Sequence, residues 1–179
     1  MNAERENAMP VLQPVGGAWK DREAQAPMPF SAKRGYAAIG LFNPKNGMNV
    51  GSVLRAAGCY GVSMVALSGA RPDRYMGRIP TDTQKAYRHL PVVRCADLHE
   101  IVPFDCVPVA VELVEGARSL VTYKHPERAF YVFGPEDGTL GRQVLDWCRD
   151  KVYVPTRFCM NLAATVNVVL YDRLAKQPI

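Results

Sequence analysis

From Tyr36 onward the sequence has one dominant rhythm: short apolar runs alternate with stretches of helical spacing. YAAIGLF (36–42) reads as a strand, and the helix after it runs from about Asn49 to Tyr60. SMVALSG (63–69) is the next strand, followed by a polar, basic loop to about His89. VVRCADLHEIV (92–102) predicts a short strand and helix, and CVPVAVEL (106–113) a buried strand despite Pro108. AFYVFG (129–134) predicts another strand, and a helix covers Arg142 to Asp150. VYVP (152–155) is the last strand, and NLAATVNVVLYDRLAK (161–176) a long final helix. Strands that alternate with helices predict an α/β fold, a mostly parallel sheet with helices on both faces.

Residues 1–34 lack this rhythm. They are rich in Ala, Pro, Gln and Glu and read as a flexible N-terminal arm, or as a segment that packs on a partner subunit. Residues 35–179 then form the folded domain. With 48% hydrophobic residues in 179, the chain has apolar material for one ordinary core. Its net charge of +5 and pI of about 9.0 suit a polyanionic partner without naming one. The five cysteines (Cys59, Cys95, Cys106, Cys148 and Cys159) form no CxxC or Cys/His pair at metal spacing, so no metal is expected. MNAERENAMPVLQP has no apolar signal region, and no apolar run reaches membrane-spanning length. The expectation is a soluble protein of the reducing cytoplasm, with no membrane partner.

Three stretches carry chemistry. In FNPKNGMNVGSVLRAAGCYGV (42–62), Asn49 is a candidate helix cap, and Val50, Val53, Leu54 and Ala57 form a stripe toward the sheet. Gly51 and Arg55 lie one turn apart on one face, which suggests a slot where a guanidinium meets an anion. A surface arginine beside a packing glycine is the alternative. In FGPEDGTLG (133–141), three glycines permit a tight loop at a strand's C-terminal edge, with Glu136 inside it. It is not GxGxxG, and there is no Walker A lysine, so neither nucleotide fingerprint applies. A plain connecting turn is again the alternative. In VYVPTRFCMNLAATVNVVLYDRL (152–174), a strand ends at Pro155 and Asn161 is a candidate cap for the helix that follows. Ala163, Val166, Leu170 and Leu174 are candidates for its buried side, a pattern that plain core packing also explains.

The combination is more specific than its parts. Asn49-x-Gly51-x-x-x-Arg55, then Phe133-Gly134-x-Glu136, then strand–Pro155–loop–Met160-Asn161-Leu162, in that order, resembles the three motifs of the SpoU-type RNA methyltransferases of the SPOUT class. The resemblance covers roughly residues 36–176 and, in length, is similar to the minimal tRNA wobble-nucleotide 2′-O-methyltransferases. It implies a C-terminal trefoil knot, a homodimer with shared active sites, and S-adenosylmethionine as methyl donor to a ribose 2′-hydroxyl of RNA, tRNA before rRNA. It implies cofactor contacts at Glu112, Leu113, Gly134, Val154, Cys159, Asn161 and Leu162. The catalytic set it implies is Arg55 on a backbone phosphate and the developing alkoxide, Asn49 orienting the ribose, and Glu136 fixing Arg55 or the Asn49 loop. Cys159 stands where the family usually has serine, and a thiol is a weaker hydrogen-bond donor.

For RNA, GARPDRYMGRIPTDTQKAYRH (69–89) offers Arg71, Arg74, Arg78, Lys85 and Arg88, with Tyr75 and Tyr87 interleaved. Lys33 and Arg34 extend the same candidate surface, and a solvated basic loop is the other reading. Two alternatives to ribose methylation stay open at this stage. One is a non-catalytic RNA-binding protein of the same fold, and the other a base-directed or rRNA methyltransferase.

Overall fold

The computed structural model describes residues 35–75, 79 and 85–176. The arm (1–34, with Lys33 and Arg34) and Arg78 lie outside the described residues. The elements are β1 (Tyr36–Phe42), α1 (Gly47–Cys59), β2 (Met64–Ser68), β3 (Val92–Arg94), β4 (Val107–Val111), β5 (Arg118–Ser119), β6 (Arg128–Phe133), α2 (Arg142–Leu145), β7 (Asp150–Tyr153) and α3 (Leu162–Lys176). The strands form a seven-stranded sheet in the order β3-β2-β1-β6-β4-β7-β5, and every pairing is parallel. The expected mostly parallel sheet is therefore parallel throughout the described residues.

The period of two along each strand sorts side chains by size. Ile39 and Leu41, Val65 and Leu67, Val109 and Val111, and Tyr131 and Phe133 share one face with Val50, Val53 and Leu54 of α1 and Val166, Val169 and Leu170 of α3. The opposite face carries Ala38, Ala66 and Ala110 around Phe130. Small residues there leave room for the Phe130 ring. A Cβ on Gly40 would lie 2.8 Å from two of its ring carbons and 3.2 Å from Leu98. Only glycine fits that close approach.

Helices do cover both faces, but unequally. Both long helices, α1 and α3, lie on the first face, while Leu98, Leu140, Val144 and Cys148 close the second.

Several boundaries differ from the sequence reading. α1 begins at Gly47, and its cap is Asn46, which has an extended backbone (φ −121°) and whose side-chain oxygen accepts the Met48 N–H at 2.9 Å. Asn49 is thus inside the first turn. The helix expected over Arg142–Asp150 ends at Leu145, because Asp150 already pairs opposite Val109 in β7. The helix expected within 92–102 is a single 3₁₀ turn, His99–Ile101. On α3, Leu174 is half-buried while Arg173 is buried, donating to the carbonyls of Pro126 (2.6 Å) and Glu127 (2.7 Å) and to the Tyr131 hydroxyl (3.2 Å). A guanidinium can be buried when its donors are met in this way.

Candidate functional site

β6, β4 and β7 are adjacent in the sheet, and their C-terminal ends open into a cleft of about 550 Å³. Its walls come from three places: Val111 to Leu113 after β4, Phe133 to Glu136 and Gly138 after β6, and Tyr153 to Met160 after β7. Leu162 and Thr165 of α3 complete it. Ligands of open parallel sheets sit at such strand ends. Gly134 keeps the floor tight: a Cβ there would lie 3.2 Å from the Glu112 carboxylate and 3.4 Å from the Leu140 nitrogen. Glu112 in turn accepts the N–H of Leu140 and of Leu113, each at 3.2 Å, joining the β4 and β6 loops.

The first motif reaches this cleft through Glu136. Helix α1 has no acidic residue in its first turn. Glu136, from the loop after β6, supplies the missing negative charge at that helix end. Its carboxylate accepts the backbone N–H of Lys45 (2.7 Å) and of Asn46 (3.3 Å), and the Asn49 side-chain amide at 2.7 Å. Asn49 then accepts the side-chain amide of Asn161 at 2.9 Å. Asn161 caps α3, its side-chain oxygen accepting the N–H of Ala163 (2.9 Å) and Ala164 (3.4 Å). One hydrogen-bond chain, Asn161 to Asn49 to Glu136, therefore ties together the three motifs.

Of the expected cofactor contacts, Glu112, Leu113, Gly134, Val154, Cys159 and Leu162 all line the cleft, and Asn161 braces its edge from the cap of α3. Glu136 holds the Asn49 loop, not Arg55. Arg55 is exposed on α1, outside the lining of its own chain's cleft, and has no hydrogen-bond or ion-pair partner among the described residues. Gly51, one turn before it, is buried.

The basic segment is only partly free. Arg71 pairs with Asp137 (2.6 Å), and Tyr75 is no free stacking platform: its ring sits against Gly47 and its hydroxyl donates to the Pro44 carbonyl at 2.7 Å. Burial, and then the Glu136 charge, push the Tyr75 phenol up to about 12, so it keeps that proton. Arg74, Lys85 and Arg88 are exposed, and the Arg88 guanidinium lies 5.9 Å from the Tyr87 ring centre. Sequence reasoning missed Lys45 and Asp137, which flank the motif residues and pair with each other at 3.2 Å. Within the Val154–Leu162 segment expected to meet the cofactor, it did not single out Arg157 and Phe158 of the cleft wall. A charge on either side of a motif was the only available signal. Among the described residues no three His, Cys, Asp or Glu side chains come together as a metal site.

A comparison with curated proteins finds no match. Solved structures do match. The SpoU methyltransferase AviRb from Streptomyces viridochromogenes, in complex with AdoMet, aligns with TM-score 0.70 and 18% identity over 82% of this chain and 62% of that one. A structure described as giving insight into the 2-OH methylation of C/U34 on tRNA aligns with TM-score 0.67 and 21% identity, over 79% of this chain and 96% of that one. The A. aeolicus TrmH/SpoU tRNA modifying enzyme aligns with TM-score 0.66 and 17% identity, over 78% and 74%. This chain spans 62% and 63% of the two AviRb chains. At these identities the likeness is one of fold. The sequence match is independent: the model of the SpoU rRNA Methylase family covers residues 36–171, including all three motifs. This chain belongs to the SpoU methylase family.

Proposed function

We propose that this protein transfers a methyl group from S-adenosylmethionine to a ribose 2′-hydroxyl of RNA, most readily tRNA. The observation that carries the reading is the hydrogen-bond chain Asn161–Asn49–Glu136 at the edge of the strand-end cleft. The cleft suits the donor. Its volume is within the range of small-molecule sites, and Val111, Leu113, Phe133, Val154 and Leu162 offer an apolar clasp beside strand-end backbone groups that can read a purine edge. Bound there, the donor supplies an electrophilic methyl carbon.

The remaining work falls to the chain's own groups. Asn49, its amide fixed at both ends, presents a preset orientation to the sugar. Arg55 takes a backbone phosphate and stabilises the alkoxide that develops as the hydroxyl attacks, the proton passing to that phosphate or to water. A guanidinium holds its charge, which makes it an anion clamp and a poor base. Because Arg55 stands outside its own cleft, the reading includes a homodimer in which it serves the neighbouring subunit's cleft. The C-terminal trefoil knot belongs to the same reading. So does a cytoplasmic location, with which five free cysteines agree.

Three measurements test this. Calorimetry with S-adenosylmethionine is expected to show one site per chain, and nucleoside mapping of cellular RNA with and without the protein to show one 2′-O-methylated position lost. Arg55→Ala is expected to bind the donor normally and lose about a hundredfold or more in kcat. A variant that methylates at the wild-type rate removes Arg55 from the mechanism, and a modified base instead of a ribose in the map overturns the ribose assignment.

A further inference from the structure

Lys45 and Arg71 come from different loops and converge on one carboxylate. Lys45 Nζ lies 3.2 Å from Asp137 Oδ2, and the two Arg71 terminal nitrogens lie 2.6 and 3.4 Å from Asp137 Oδ1 and Oδ2. Both cations are held by their backbones. The Lys45 N–H donates to Glu136 at 2.7 Å, and the Arg71 N–H to the Asn43 side chain at 3.2 Å. Their side chains, 60% and 33% exposed, have no other partner among the described residues.

Asp137 differs from its neighbour. Glu136 accepts two backbone N–H groups and the Asn49 amide, so it shapes the loop. Among the described residues Asp137 accepts from the two cations only, and a Gly138-to-Pro135 backbone bond turns the loop without it. Arg71, then Lys45, hold its carboxyl below the usual carboxylate range. Solvent-exposed ion pairs of this kind contribute little net free energy, so another anion can exchange into them.

We infer that Lys45 and Arg71 form a phosphate-binding subsite beside Asn49, which Asp137 occupies as a stand-in until an RNA phosphodiester displaces it. The inference rests on the RNA reading above. It adds a contact, Lys45, that no motif marks, and it assigns Asp137 a competing role. A phosphate matches the stand-in: it is an anion with several acceptor oxygens, which an arginine fork and a lysine can share. The site adjoins the residue proposed to orient the ribose, so the phosphate taken is one next to the target nucleotide.

The test is fluorescence anisotropy with labelled unfractionated tRNA across a salt series. Lys45→Ala and Arg71→Ala are each expected to weaken binding about five- to tenfold and to lower the slope of log K against log salt by about one. Asp137→Asn, which removes the competitor and keeps the shape, is expected to tighten binding about three- to tenfold. That gain is expected to vanish in the Lys45→Ala/Arg71→Ala background. Binding that weakens or does not change with Asp137→Asn overturns the proposal. So does a gain that persists without the two cations, since general electrostatics then accounts for it. A wild-type protein without measurable tRNA affinity overturns it as well. Urea unfolding checks that each variant is folded, with Lys45→Gln and Arg71→Gln as replacements for any alanine variant that is not. Calorimetry with S-adenosylmethionine and nucleoside mapping report the methyltransferase reading separately, so failure of either idea is distinguishable.

Discussion

Glu136 shows how much one exposed side chain can organise. Its two oxygens meet three donors, two of them backbone N–H groups at the start of α1, and the third fixes Asn49. Glutamine has the same shape but lacks the charge, and its amide NH₂ faces a donor where a carboxylate oxygen accepted. Glu136→Gln is therefore expected to cost about 1–2 kcal/mol of stability in urea unfolding, through the unmet donor and the lost charge at the helix N-terminus. The larger effect is on rate. If Asn49 swings by about 1 Å, a loss on the order of a hundredfold in kcat follows, with donor affinity little changed. A variant that unfolds earlier but turns over normally shows that Glu136 only supports the fold. Among the three motif partners, Asn161 was readable as a cap from its place before an apolar helix. The pairing of its amide with Asn49 was not readable, because the two residues are 112 positions apart and nothing local links them.

At the level of elements, α3 is pinned to the sheet by a polar cluster that apolar patterning did not reveal. His125 Nδ1 lies 2.6 Å from the Tyr131 hydroxyl and Nε2 lies 2.9 Å from Asp172, while Lys176 and Arg173 add cations from α3 and Tyr123 packs against the ring. The bonds fit one neutral tautomer: Nε2–H donates to Asp172, and Nδ1 accepts from Tyr131, whose oxygen accepts from Arg173. Burial lowers the His125 pKa below the ordinary 6.5, more than Asp172 raises it. A depressed pKa means that the unfolded chain binds the proton first. The group's stabilisation is full above 6.5 and is lost as pH falls through its folded value. The fall in thermal stability between about pH 7 and pH 5 is expected to be smaller in His125→Gln than in wild type, as read by circular dichroism melting. Equal falls would show that His125 does not titrate on its own. The strands were legible for the opposite reason. Every long strand keeps a period of two with apolar faces, and the sheet is covered on both sides. β5 was missed because Arg118–Ser119 has no such pattern, and α2 was read too long because Val144 and Cys148 imitate a helical stripe while pairing of β7 decides its end.

At the level of the whole molecule, the position of Arg55 poses the remaining question. The cleft draws its lining from three strand ends and α3, and Arg55 is not part of it. α1 nevertheless turns this exposed guanidinium to solvent, on a helix whose other face is buried against the sheet. An exposed cation, unpaired among the described residues and six positions beyond the motif asparagine, fits a site completed by a second copy; in the proposed two-fold dimer each cleft would receive the other's arginine. The arrangement makes a quantitative prediction. Arg55→Ala keeps its cleft and loses its arginine. Gly134→Val keeps its arginine and spoils its cleft, because a side chain there meets the Glu112 carboxylate and the Leu140 nitrogen. Each variant alone is expected to be inactive. Mixed in equal amounts with free subunit exchange, half of the dimers combine both chains, and each of these has one intact site. The mixture is then expected to regain about a quarter of wild-type activity. Sedimentation of the separate variants confirms that both still pair, and unfolding transitions confirm that both still fold. If the two pair and exchange yet no activity returns, Arg55 acts within its own chain, and the shared site is wrong.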